Sequence, residues 1–327
     1  MDNKKNSNIR RILIVSAVII AITILFFLLV ETEEVVHHLL SADACYLAAA
    51  SIAFLFGLVA FAARWRALLG NKPPLLFTFH ASNLGHAGNM LIPLRAGEPI
   101  RILVIGSDKS VSLTEATTSV VVERLFEQLM RLLALAAAIL VGVGLEVSLL
   151  AALGGVGFLI LGFAVIAWLV SNQDFTLNRG TRLLARLPRI SEETAHKSIS
   201  DLLQNLTAVS KPRRFVQILL LSLITWAFFW GFFYLTLLSL GASFAPEQQL
   251  AVSLGAMALS PPSAPTQPGL FHASIVVPLA ALGINAEALT AYAVILHILE
   301  MFWIICLAIW GLTATGSSVQ DFFKSIR

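Results

Sequence analysis

This sequence is poor in charge. Only 13% of its 327 residues are Asp, Glu, Lys or Arg, about half the share of a soluble domain, which excludes an ordinary water-soluble fold. Cysteine is nearly absent. Cys45 and Cys306 both fall inside apolar runs, so they say nothing of a disulfide framework, and no metal-ligand spacing exists. The chain also lacks a glycine-rich phosphate loop, a nucleophile elbow and a His/Cys/Asp/Glu cluster. Its longest loop is too short for an independent catalytic fold, so neither an enzyme nor a cofactor is expected. The net charge of +3 is explained by topology, so nucleic acid is not an expected partner.

What the chain has is apolar length. Hydrophobic residues make up 57%, and mean hydropathy is +0.84. Six runs reach the ~20 residues that span a bilayer: about 12–30, 44–63, 114–143, 147–170, 214–240 and 286–312. The first, within "RILIVSAVIIAITILFFLLV", is too long for a signal-peptide core and no small-residue cleavage site follows, so it reads as an uncleaved helix. Two more apolar segments, 74–108 and 248–283, are interrupted by proline and glycine. The expected fold is an all-α polytopic membrane protein, one transmembrane domain over 1–327 with six spanning helices and two broken re-entrant segments.

Charge orients this layout. If the six runs span, then the N-terminal tail, the 64–72 loop (Arg64, Arg66, Lys72), the 171–213 loop with its boundary Arg214, and the C-terminal tail share one side. They hold 17 of the 22 Lys and Arg. The other side carries Glu31, Glu33, Glu34, Asp43, Glu146, Glu247 and Glu287 and no basic residue. Cytoplasmic loops attract Lys and Arg, so both termini are expected in the cytoplasm of a prokaryotic cell (inner) membrane. The 171–213 loop reads as one or two short surface helices, either against anionic lipid or as a solvated connector.

The layout divides into two halves. Residues 44–143 hold a span, the 74–108 segment and a span, and residues 214–312 repeat that order with opposite orientation. Pro/Gly-interrupted segments at matching places in inverted halves point to a midplane site.

The first broken segment reads "GNMLIPLRAGEPIR". Pro93 and Pro99 remove backbone donors and Gly97 permits unusual dihedrals. Asn83 and Asn89 offer amides, and Arg95 and Arg101 offer guanidinium forks suited to phosphate or carboxylate, with Glu98 between them. The next helix starts with a capping-box pattern at Ser112 and Glu115. It then carries Glu123 and Arg124, with Glu127 spaced to pair Arg131. The second broken segment has Pro265, Pro268 and Gly269, with Gln267 and His272 as polar candidates. Glu300 lies deep in the last run, one turn after His297, and a carboxylate at that depth needs a partner or a proton.

At these residues the chain resembles the family named for the transmembrane region of lysylphosphatidylglycerol synthase, a flippase-like group. The likeness rests on "GNMLIPLRAGEPIR", on "ERLFEQ" in the following helix, and on the late proline-rich segment ending in Gly-x-Phe, in family order over roughly 10–315. It implies eight membrane segments, two of them re-entrant, and movement of a lipid or lipid-linked sugar between leaflets. By motif it points to Asn89, Pro93, Arg95, Gly97, Glu98, Arg101, Glu123 and Arg124. Where the family carries a Gly-Gly-x-Gly run with an acid after the aromatic, this chain reads "TQPGLFH", with His272 there, so an acidic role is not carried over. No soluble aminoacyl-transferase domain follows the last run, so lysyl transfer is not expected.

The leading reading is a lipid translocase whose arginines hold an anionic headgroup, from a phospholipid or a polyprenyl phosphate, with Glu123 and Glu300 as candidate proton carriers. The alternatives are a secondary transporter of a small solute or ion, and a non-transporting scaffold for lipid-modifying enzymes. A homo-oligomer or such an enzyme is the expected protein partner. Geometry separates the three: a groove open sideways to lipid, a sealed central cavity, or arginines fully paired within the protein.

Overall fold

In the computed structural model of the chain, the described residues are 32–91, 97–141, 167–186, 191–241, 246–260 and 269–315, with 157, 160–162, 164, 165 and 244. They are helical and contain no strand. A short helix α1, Thr32–Leu40, precedes α2, Ala44–Leu68, and packs on the last helix. Asp43 starts α2 by accepting from the Cys45 and Tyr46 amides at 2.7 and 3.4 Å, a side-chain cap for otherwise unpaired donors. Then come α3, Leu75–Leu91, α4, Gly97–Ile105, and α5, Leu113–Val141. Two helices, α6 (Gln173–Leu184) and α7 (Glu192–Ser210), pack on each other in the basic loop. The second half holds α8, Pro212–Leu238, α9, Pro246–Leu259, α10, Leu270–Ala280, and α11, Ala286–Thr315.

Among the described residues, three helices, α2, α8 and α11, are long and apolar enough to cross a membrane. Each leaves large apolar side chains outward, among them Phe56, Phe228 and Phe302, as a lipid-facing helix should. Helix α5 has 29 residues, about 44 Å at 1.5 Å per residue. It is long enough to span, but Glu115, Glu123, Arg124, Glu127 and Arg131 keep it from reading as apolar. The expected run at 12–30 lies outside the described residues, and 147–170 is described only in part.

Both segments read as broken are pairs of short helices, α3 with α4 and α9 with α10. Pro93 and Arg95 lie outside the described residues, as do Pro265, Gln267 and Pro268. Gly269 precedes α10 at φ 85°, a left-handed conformation that glycine adopts freely. Pro99, expected to break the backbone, falls inside the first turn of α4. Proline fits there because first-turn amides have no intrahelical acceptor to lose.

Packing pairs the halves. Helix α2 lies along α8, α3 packs on α11, and α5 packs on α9. Matching α2, α3, α4 and α5 with α8, α9, α10 and α11, every such contact between helices has its counterpart on exchange of the halves. Buried polar handles tie the helices across apolar surface: Trp65 Nε1 donates to Ser119 Oγ at 2.9 Å, and Tyr292 Oη donates to the Phe233 carbonyl at 2.8 Å. Tyr292→Phe removes one such tether and is expected to cost about 1 kcal/mol, read as a small drop in the melting temperature of detergent-solubilised protein. An unchanged melting temperature would show that this bond adds nothing.

The cap of α5 forms only in part. Ser112 Oγ accepts from the Glu115 amide at 3.1 Å, but the Glu115 carboxylate turns to Lys72 at 2.8 Å. Lys72 lies in the turn between α2 and α3, so this pair holds two elements together instead of closing the box.

Candidate functional site

The two helix breaks meet at one cavity of about 150 Å³. Asn89 and Glu98 reach it from either side of the first break, and Ser260 and Phe271 from either side of the second. One wall is apolar and aromatic, with Phe54 and Phe61 from α2 and Trp226, Phe229 and Phe233 from α8. Another is ionic, with Arg64, Glu98, Arg101, Arg124, Glu127 and Arg131. Glu300 lines it from α11.

Close approach of α3 and α4 builds the first break. Gly97 abuts the Gly85 backbone and the Asn89 side chain, and its amide donates to Asn89 Oδ1 at 2.9 Å. Small residues permit this backbone proximity, and Asn89 satisfies an amide at the start of α4 that has no helical acceptor.

The ionic wall is a closed ring of alternating charge drawn from three helices. Arg64 binds Glu127 at 3.0 Å and stands 3.9 Å from Glu123. Glu123 binds Arg101 at 2.6 Å, and Arg101 binds Glu98 at 2.7 Å. Arg124 then joins Glu98 to Glu127. Three arginines and three glutamates balance, so the ring adds no net charge to the interior. Every corner has two neighbours of opposite sign, which a buried charge needs to offset desolvation. The ring rests on aromatic faces, with the Arg64 guanidinium 4.8 Å from the Phe61 centroid and that of Arg101 4.8 Å from Trp65, within cation–π range.

Satisfaction is incomplete at the cavity wall. Arg64 Nε and Nη1 and His86 Nε2 are buried with no hydrogen-bond partner, and both residues line the cavity. The Arg64 nitrogens are donors, and buried donors without acceptors are costly, so the wall suits a guest or waters that bring oxygen atoms.

The structure gathers Asn89, Glu98, Arg101 and Arg124 on the cavity, with Glu123 fully buried behind them and joined through Arg101. Two other candidates do not line it. Asn83 donates back to the Phe79 carbonyl of its own helix at 2.9 Å, because an asparagine facing a packed helix interface finds its nearest acceptor one turn back. His272 instead accepts from the Gly269 amide at 3.2 Å and packs against Phe271 and His297.

Two ionic assignments change. Arg64, placed in the 64–72 loop by the sequence, is inside α2 and wholly buried. Arg66, two residues on, lies about 200° round the helix and instead donates to the Pro73 carbonyl. The expected Glu127–Arg131 pair is replaced: Glu127 takes Arg64 and Arg124. Arg131 donates to the Ala258 carbonyl at 2.6 Å and to that of Ser260. It thereby caps the C-terminus of α9, where carbonyls lack helical donors and the helix dipole favours a cation.

A family model described as the lysylphosphatidylglycerol synthase TM region matches residues 12–308. No curated protein and no solved structure matches the chain.

Proposed function

Since the chain belongs to the family of the lysylphosphatidylglycerol synthase TM region, membrane proteins linked to lipid handling, we propose that it moves a lipid with an anionic headgroup between leaflets. The observation that carries this reading is the cavity at which both helix breaks meet, aromatic on one wall and ionic on the other. An amphipathic guest matches both walls, with its phosphate at the arginines and its apolar stem along Phe54, Phe229 and Phe233. The orphaned Nε and Nη1 donors of Arg64 add oxygen-seeking groups to the headgroup end.

The exchange symmetry of the helix contacts supports two halves of one design, and the charge layout supports their inversion. Broken helices in inverted halves suit a site exposed to alternate leaflets. With no nucleotide site expected, movement is passive or proton-coupled. Glu300, a cavity-lining carboxylate without an ion pair among the described residues, is the proton carrier of choice, ahead of Glu123, which is held by Arg101. The pairing of Arg101 and Arg124 inside the ring is the one observation that favours a non-transporting scaffold.

The test is transbilayer movement of labelled lipids in proteoliposomes. Arg124→Ala is the variant of choice because Glu98 and Glu127 keep Arg101 and Arg64 as partners, and the Arg124 side chain, 27% exposed, is the most exposed corner of the ring. Movement of an anionic probe is expected to fall at least about tenfold, the effect of losing one charge-assisted contact of ~1.5 kcal/mol or more. Equal rates in wild type and variant, or none above empty vesicles, would move the assignment to the scaffold or to a solute transporter.

A further inference from the structure

We propose that Glu98 is a built-in surrogate for the substrate's anion: its carboxylate occupies the phosphate site between Arg101 and Arg124, and the arriving lipid takes that site by displacing it. This rests on the translocase reading above and deepens it, because it assigns the headgroup site and the group that guards it.

Glu98 binds the two arginines with separate oxygens. Its Oε2 accepts from Arg101 Nε at 2.7 Å, and its Oε1 meets Arg124 Nη2. A carboxylate forked between two guanidinium groups has the charge and paired oxygens that a phosphate ester presents through its non-bridging oxygens. The site is therefore already shaped and charged for that group.

Of the ring's three acids, Glu98 is the one built to leave. Its side chain is 20% exposed, against 12% for Glu127 and none for Glu123. It stands in the first turn of α4, beside the break, whereas Glu123 and Glu127 sit well inside α5. Glu98 and Glu127 line the cavity with Arg101 and Arg124, and Glu123 does not, so exposure and position beside the break set Glu98 apart from Glu127.

Energetics select the guest. Withdrawing Glu98 alone would leave Arg101 with Glu123 and Arg124 with Glu127 as their remaining acids. The ring would then hold an uncompensated positive charge in a poorly solvated site, which is penalised. Exchanging one anion for another keeps both paired, so the two states stay close in free energy. An uncharged lipid cannot make the exchange and leaves Glu98 in place. Binding of the anion then frees the first turn of α4, which couples headgroup capture to movement of the broken helix.

The experiment is equilibrium binding of fluorescent phosphatidylglycerol, polyprenyl phosphate and diacylglycerol to purified wild type, Glu98→Gln and Arg124→Ala. Removing the competing carboxylate is expected to tighten binding of an anionic probe about tenfold in Glu98→Gln, with diacylglycerol unchanged and Arg124→Ala weakened. Tightening for phosphatidylglycerol alone identifies a phospholipid, for polyprenyl phosphate alone a carrier lipid, and for both a shared phosphate chemistry. If wild type binds in an Arg124-dependent way and Glu98→Gln binds no tighter, the surrogate falls while the translocase reading stands. If no protein binds an anionic probe better than Arg124→Ala does, both fall. Should Glu98→Gln and Glu98→Ala each fail to yield monodisperse protein, Glu98 is a structural strut and the proposal is overturned.

Discussion

Glu123→Ala is expected to lose about 3–5 kcal/mol of stability, the usual cost of breaking a buried ion pair from one side. That is a large share of the ~5–15 kcal/mol that holds most folded domains. Glu123 is fully buried, and it stands between Arg101 at 2.6 Å and Arg64 at 3.9 Å. Its removal opens the ring and leaves two guanidinium groups sharing what remains. Arg101 loses its 2.6 Å partner, and Arg64, two of whose nitrogens are already without acceptors, is left with Glu127 alone. Thermal melting with fluorescence-detected size exclusion should show a strongly lowered transition or an aggregated peak. Glu115→Ala is the control, because the cation it leaves behind, Lys72, is 48% exposed and stays in water. Adding Arg64→Leu to Glu123→Ala should recover part of the loss, because the stranded cation goes with its carboxylate. Equal melting of Glu123→Ala and Glu115→Ala would show that the ring is not a structural unit.

The second large effect is expected at Gly97. A Cβ there would collide with the Gly85 carbonyl and come 2.6 Å from Asn89 Cγ and Oδ1. The first obstacle is backbone, so no rotamer change relieves it. Overpacking of this kind costs about 1–3 kcal/mol, occasionally more, and a rigid backbone partner puts Gly97→Ala at the upper end. The shift would also pull the Gly97 amide off Asn89 Oδ1 and displace Glu98 and Arg101, which follow on α4. Folding yield and anionic lipid binding should therefore fall together. Gly231→Ala, where the nearest atom is the Ala53 Cβ at 3.6 Å, should behave as wild type. A Gly97→Ala protein with unaltered yield and binding would show that α3 and α4 separate freely.

The membrane helices were legible because their signal is local. An apolar run of bilayer length is a property of neighbouring residues, so α2, α5, α8 and α11 lie within a few residues of the runs expected for them. The helix interruptions were legible in part: Gly97 opens α4 and Gly269 precedes α10 at φ 85°, whereas Pro99 lies inside the first turn of α4. The Gly-Asn and Gly-Glu of the first break likewise marked Asn89, Gly97 and Glu98 by motif.

The ionic partners were not legible. Glu127 has an arginine one turn away at Arg131, and helical spacing alone favours that pair. Tertiary packing offers it Arg64, from another helix 63 residues earlier, and sends Arg131 to the end of α9, 127 residues on. Buried charges must satisfy all their partners at once, so the closed ring outweighs a pair of a few tenths of a kcal/mol on an exposed helix face. Arg64 shows the same limit from the other side. It ends an apolar run just as a loop arginine would, and only the position of α5 against α2 makes it an interior residue. The sequence by itself determined that the chain is helical and apolar enough to cross a membrane at α2, α8 and α11, because chain hydropathy is settled residue by residue. Which charges face one another, and that two distant breaks share a cavity, was decided only by how the helices pack.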